Sequence, residues 1–75
     1  MQRIESITAF VVEDDTGEGV AAFLGPKGMW LPMVAADPER VASLRPHAEA
    51  IVKASGKRIR VVRFTTRTEL DVIEP

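Results

Sequence analysis

Residues 37–64 read DPERVASLRPHAEAIVKASGKRIRVVRF and carry the strongest structural signals in this chain of 75 residues. Asp37 before Pro38 is typical of a helix start, because the aspartate can accept a hydrogen bond from a free backbone N–H and proline has no N–H to satisfy. Apolar residues then recur at helical spacing, at Val41, Leu44, Ala48, Ile51 and Val52. Gly56 predicts the helix end, since glycine readily takes the left-handed conformation found there. Residues 59–64, rich in β-branched side chains, predict a strand.

Pro46 lies inside this predicted helix. An interior proline removes one backbone hydrogen bond and crowds the preceding turn. The sequence therefore predicts either a kink at Pro46 or a short first helix that ends near Ser43, with Ser43 capping a second helix.

Three apolar runs precede the helix and alternate with segments that favour turns. The runs are residues 4–13, 20–24 and 29–34, and the turn segments are residues 14–19 and 25–28. Pro32 lies in the third run, and because proline cannot donate a hydrogen bond to a neighbouring strand, this strand is expected at a sheet edge.

These elements predict an α+β fold in a single domain over residues 1–75. We expect a three-stranded antiparallel meander, one kinked helix and a fourth strand, all in one sheet that the helix covers. The helix crossover favours a strand order of 3-2-1-4, with the fourth strand parallel to the first. Residues 69–73 are expected to form either a short fifth strand or an extended tail.

Composition is that of a soluble globular domain, with 45% hydrophobic residues and a formal net charge of -1. The chain contains no cysteine, which fits a reducing cytoplasm and excludes disulfides and thiolate chemistry. Residues 1–5 have no long apolar run, so neither a signal peptide nor a membrane span is expected.

The predicted strands are apolar on both faces, whereas one helix covers only one face. In the first strand, side chains alternate between two sets, Ile7, Ala9 and Val11 against Phe10 and Val12. A second apolar face needs a second cover. We therefore expect a homodimer, packed sheet to sheet or through a shared edge. The alternative is a monomer in which the tail and the turns cover this face.

Six cations and no acid occur in residues 53–67, which makes this stretch a candidate anion-binding strip. The candidate ligands of a phosphate, a nucleotide or a nucleic acid are Arg58, Arg60, Arg63 and Arg67. In a regular strand Arg58 and Arg60 share one face with Phe64, and Arg63 and Arg67 share the other. The competing interpretation is an edge strand that carries charge to prevent pairing with other chains.

No residue set for catalysis stands out. His47 is the only histidine, and cysteine and tyrosine are absent. Asp14, Asp15 and Glu18 lack the spacing of a calcium loop, and they are explained as part of a turn. We therefore expect a protein that is not an enzyme and has no cofactor or metal.

Trp30, the only tryptophan, lies between Met29 and Met33 on the predicted edge strand. Tryptophan and methionine are enriched at protein interfaces, so these three residues are the candidate partner-binding site, although a small domain often buries its tryptophan in the core. The sequence thus favours a small non-catalytic regulatory or adaptor protein, cytoplasmic and of bacterial, phage or mobile-element origin, that binds another protein. Binding of an anionic ligand or nucleic acid through residues 57–67 is the alternative.

Overall fold

The structure, a computed structural model, describes residues 3–75. Its elements, in chain order, are β1 (Ile7–Asp14), β2 (Gly17–Val20), β3 (Ala22–Leu24), β4 (Trp30–Pro32), β5 (Val34–Ala35), α1 (Pro38–Ser55) and β6 (Ile59–Phe64). The fold is α+β, with antiparallel strands and one helix packed against them, as the sequence predicts.

Strand β1 is the centre of the main sheet. On one side its second half pairs with β2 and its first half pairs with β5, and on the other side it pairs along most of its length with β6. All three pairings are antiparallel. Both edges of β1 are therefore occupied, which explains why the middle of this strand is buried.

The predicted second and third strands each divide in two. Ala21 separates β2 from β3, and Met33 separates β4 from β5. At this junction the Phe10 N–H donates to the Met33 carbonyl, the Met33 N–H to the Ala21 carbonyl and the Ala21 N–H to the Phe10 carbonyl, at 3.0, 2.8 and 2.8 Å. Beyond the junction β3 and β4 continue as a separate two-stranded ribbon.

The predicted orientation of the fourth strand is wrong, because β6 runs antiparallel to β1. The order 3-2-1-4 is correct in placing β6 and β2 beside β1, but it is wrong for the end of the third strand, which lies beside β1 as well. The difference arises at the end of the third strand, where β5 also pairs antiparallel with β1. The helix crossover therefore makes β6 parallel to β5, with β1 between them.

Helix α1 begins and ends where the sequence predicts. The Asp37 side chain accepts a hydrogen bond from the Arg40 N–H at 2.8 Å, and Gly56 takes the left-handed conformation with φ of 72°. Pro46 lies within one continuous helix, so the alternative of two helices is wrong. Ser43 starts no second helix, since its hydroxyl donates to the Arg40 carbonyl at 2.8 Å. The kink at Pro46 stays a prediction.

The core lies between α1 and one face of the sheet. Its largest fully buried side chains are Phe10, Met33 and Leu44. Alanines at positions 21, 35 and 48 complete the cluster, and their small side chains let the helix and the strands approach closely. On the ribbon, the ring of Phe23 stacks on that of His47 from α1, with centroids 4.2 Å apart.

Residues 65–75 form an extended tail, so the alternative of a fifth strand over residues 69–73 is wrong. Leu70 and Ile73 are 91% and 95% exposed. The radius of gyration is 14.2 Å, against about 11 Å for a compact domain of this length, which agrees with a projecting tail.

Candidate protein-binding face

The strand register shows which side chains lie on the sheet face away from α1. Phe10 belongs to the core under the helix, so Ile7, Ala9 and Val11 of β1 point to the opposite side. Directly paired residues in an antiparallel sheet share a face. The helix-free face of the main sheet therefore consists of Ile7, Ala9, Val11, Val20, Val34, Val62 and Phe64, with Arg60, Glu13 and Glu18 as its charged members.

The side chains at the centre of the helix-free face are enclosed by side chains of the flanking strands, whereas the side chains around them are exposed. Ala9 and Val11 are buried because β1 has neighbours on both sides. In contrast, Ile7 is 41% exposed, Val20 53% and Phe64 55%. Apolar side chains thus lie on a flat surface with no element packed over them in the part of the chain that the structure describes.

The ribbon extends the helix-free face. Phe23 packs against the core, so its side of the ribbon faces the helix. Leu24 and Trp30 are paired directly with each other on the other side, and they are 58% and 70% exposed. The expectation that so small a domain buries its tryptophan in the core is therefore wrong for Trp30.

The turn between β3 and β4 positions Met29 and Trp30 at one end of this surface. The Gly25 N–H donates to the Met29 carbonyl at 2.7 Å, and Gly28 has φ of 76°, a conformation that glycine adopts without strain. The turn leaves Met29 63% exposed beside Trp30.

Met33, predicted together with Met29 and Trp30 as a partner-binding residue, is fully buried in the core. It lies on the helix side because side chains alternate along the strand, and Trp30 and Met33 are an odd number of positions apart. This alternation was readable in the sequence. The strand face that joins the core, however, is decided by the junction with Phe10 and Ala21.

The tail does not cover the helix-free face. Leu70, Val72 and Ile73, its three apolar residues, are 91%, 60% and 95% exposed. The expected alternative of a monomer covered by its own tail is therefore wrong for this structure.

The predicted anion-binding strip does not form one site. Arg60 lies on the helix-free face and its Nη2 is 3.2 Å from Oε2 of Glu13, in an exposed ion pair. Arg58 lies beside it, where both side chains line a cleft with Asp14 and Asp15. Acids thus stand next to the first two arginines.

The other two arginines lie elsewhere. Arg63 is paired with Thr8 on the helix side and lines a cleft of 530 Å³ near the start of α1. Arg67 follows the end of β6 and lines a cleft with Arg3 and Glu69. The predicted division of the arginines between two faces holds for Arg60 and Arg63, and within one chain the four guanidinium groups do not converge.

Asp14 is explained by its turn. Its Oδ1 accepts hydrogen bonds from the Thr16 hydroxyl at 2.7 Å and from the Thr16 N–H at 2.8 Å. These two bonds hold the pKa of the Asp14 carboxyl below its usual value, and the bond from the hydroxyl has the larger effect. Across residues 3–75, no three His, Cys, Asp or Glu side chains are grouped so that they could hold a metal ion.

His47 is exposed and contacts Phe23 by stacking. Among the described residues, no helix is long and apolar enough to cross a membrane.

Comparisons with family models, with curated proteins and with solved structures gave no match to this chain.

Proposed function

We propose that this chain is a small non-catalytic binding protein that docks on another protein through its helix-free face. The observation that carries the proposal is the exposed pair of Trp30 and Leu24, which lies at one end of the helix-free face with its exposed apolar side chains. Tryptophan contributes more binding energy at protein interfaces than most residues do, because it buries a large area with little loss of side-chain freedom.

The size of the surface supports a protein as the partner. The exposed parts of Ile7, Val20, Leu24, Trp30, Val34 and Phe64 amount to roughly 300 to 500 Å² of apolar surface. One side of a standard protein interface buries roughly 450 Å² of apolar area. The helix-free face can therefore supply the apolar part of one such interface, and the fitting partner is a protein with a flat apolar surface of its own.

We also propose that the module acts as a homodimer and in the cytoplasm. The lack of cysteine is compatible with a reducing compartment and supports this location. The dimer would double the number of docking faces in one particle, which raises the avidity for a repeated or dimeric partner.

Site-specific photo-crosslinking in cells that make the protein tests the docking face. A photoreactive amino acid is placed at position 24 or 30 on the helix-free face, and at position 50, an exposed site on α1, as the control. We expect one discrete adduct with a different protein from positions 24 and 30 and none from position 50. Equal adducts from all three positions, or an adduct of two copies of this chain from position 30, would contradict the proposal.

A variant separates binding from crosslinking chemistry. Leu24→Asp places a charge directly beside Trp30 and is expected to abolish the adduct from position 30, whereas Ala50→Asp is expected to preserve it. Leu24 is 58% exposed, so neither change introduces a charge into the core.

A further inference from the structure

Strand β6 has a free edge. It pairs with β1 on one side, and no strand among residues 3–75 pairs with it on the other. The backbone N–H and C=O groups along a free edge are a template for one more strand. An added strand must also match the side chains of β6 on both faces.

In the first half of β6 the side chains differ between the two faces, whereas in the second half Arg63 lies on the helix side and Val62 and Phe64 lie on the helix-free face. Ile59 and Val61 face the helix side, because they pair with Val12 and Phe10. Arg60 lies on the helix-free face, and Arg58 precedes it at the same spacing. A complementary strand would carry apolar residues on one side and acids on the other.

The apolar side of this edge opens into a cleft between β6 and α1. The cleft has a volume of 360 Å³, and Val52 and Val61 on its wall are 38% and 49% exposed. Arg45 and Lys53 from the helix also line it. Glu49 lies among these charged side chains, and the apolar wall formed by Val52, Ile59 and Val61 can receive aliphatic side chains.

The tail of this chain has the complementary pattern. Leu70 and Val72 alternate with Glu69 and Asp71, and residues 68–75 contain three acids and no cation. All of these residues are exposed and lie outside any strand. In an extended strand, the two aliphatic residues point to one face and the two acids to the other.

We propose that residues 68–75 of one copy add as a strand to the β6 edge of a second copy. Leu70 and Val72 enter the cleft between β6 and α1, and Glu69 and Asp71 lie beside Arg58 and Arg60. Two copies that exchange their tails in this way close a symmetric dimer with no edge of β6 left open. The inference rests on the dimeric form of the function proposed above and describes how that dimer is built.

The course of the chain favours a second copy over the tail's own edge. After Phe64 the chain continues past the first residues of β1, where Thr66 and Arg67 line a cleft with Ile4 and Ser6. Glu69 lines a cleft with Arg3, at the opposite end of the main sheet from Ile59. The tail would have to reverse its direction to reach its own cleft.

The charges also select the tail over another copy of β6. Two β6 edges brought together would place arginines against arginines, which is unfavourable. The acidic tail meets the same arginines with the opposite sign, in addition to the acids Glu13, Asp14 and Asp15 that already lie beside them. The charge on this edge therefore prevents one kind of pairing and permits another.

Paramagnetic relaxation in a mixed sample tests the exchange directly. The chain has no cysteine, so Pro75→Cys provides one attachment point for a spin label at the end of the tail. Spin-labelled chain without nitrogen-15 is mixed with nitrogen-15-labelled wild-type chain, and only signals from the second copy are observed. We expect broadening of amides in Ile59–Phe64 and at Val52, which disappears on dilution.

Three other results would overturn the proposal. Absence of broadening at concentrations where the protein is dimeric would exclude tail exchange. Broadening at Val20, Leu24 and Trp30 would place the second copy on the helix-free face. A third sample uses a chain that carries both the spin label and nitrogen-15. If its β6 amides are broadened equally at every dilution, the tail folds back on the β6 edge of its own chain.

Charge exchange distinguishes this dimer from the docking face. Glu69→Lys with Asp71→Lys should raise the dissociation constant of the dimer by about tenfold, and adding Arg58→Glu with Arg60→Glu should recover most of this loss. Leu24→Asp, the docking-face variant, should leave the dimer unchanged in sedimentation equilibrium. An effect of Leu24→Asp equal to that of the tail variant, or no recovery, would contradict tail exchange, while the crosslinking at position 30 tests the docking face independently.

Discussion

Met29 and Met33 have opposite surroundings, since Met29 is 63% exposed and Met33 is fully buried. We expect Met33→Ala to lower the free energy of unfolding by about 2 to 5 kcal/mol, because it leaves a cavity beside Phe10 and Leu44. Met29→Ala, the matched control, should change it by less than about 0.5 kcal/mol. Urea denaturation followed by circular dichroism measures both, and equal losses would contradict the placement of the two side chains.

The acidic turn carries a prediction about proton binding. The Thr16 hydroxyl donates to Asp14 and lowers the pKa of its carboxyl, so the stability from this bond is present at neutral pH and is lost as the pH falls through the lowered pKa. Thr16→Val removes the hydroxyl and should raise the pKa of Asp14 toward the usual aspartate value, whereas Thr16→Ser should preserve it. An NMR titration of the carboxyl carbon measures the change, and identical pKa values in the valine variant and the wild type would refute this explanation.

Local signals were predictable residue by residue. Asp37 and Gly56 act through hydrogen bonds and backbone conformation within a few residues of themselves, so the sequence alone located both ends of the helix. The fates of Trp30 and Met33 were not local. They depend on which face of the third strand meets the core, and the hydrogen bonds that decide this join Met33 to Phe10 and Ala21, far away in the sequence.

At the scale of elements, α1 tolerates a proline in its interior. Pro46 cannot donate to the carbonyl of Ala42, and its side chain is exposed. Pro46→Ala should therefore raise the free energy of unfolding by roughly 1 to 3 kcal/mol, because it restores a hydrogen bond without removing core contacts. Glu49→Ala at another exposed position of the helix is the control, with a change below about 0.5 kcal/mol in urea denaturation. A loss of stability in the proline variant would show that the packing of α1 depends on the proline.

The strands were predictable as runs but not as a sheet. Alternating apolar residues indicated three strands before the helix, and each occurs close to its expected position. The division at Ala21 has no glycine or proline signal, whereas the division at Met33 directly follows Pro32. Both divisions follow from the limited length of β1, because β2 and β5 share one of its edges. The other halves of the two runs, β3 and β4, find no room on β1 and pair with each other in the ribbon.

At the scale of the whole molecule, the sequence predicted more apolar surface than one helix covers. The structure confirms this surplus on the helix-free face and adds the ribbon residues Leu24 and Trp30 to it. Cover by the tail was the alternative to a homodimer, but the tail leaves Leu70 91% exposed. We propose different contacts for the two, a partner protein for the apolar face and the other copy for the tail.

The fluorescence of Trp30 tests this assignment most directly, because the chain has only one tryptophan and it lies 70% exposed on the helix-free face. Emission and iodide quenching are measured from dilute protein up to concentrations at which the dimer forms. We predict red-shifted emission and efficient quenching throughout, since tail exchange leaves the helix-free face open. Blue-shifted, protected emission in dilute protein, or a shift to the blue as the dimer forms, would contradict the account.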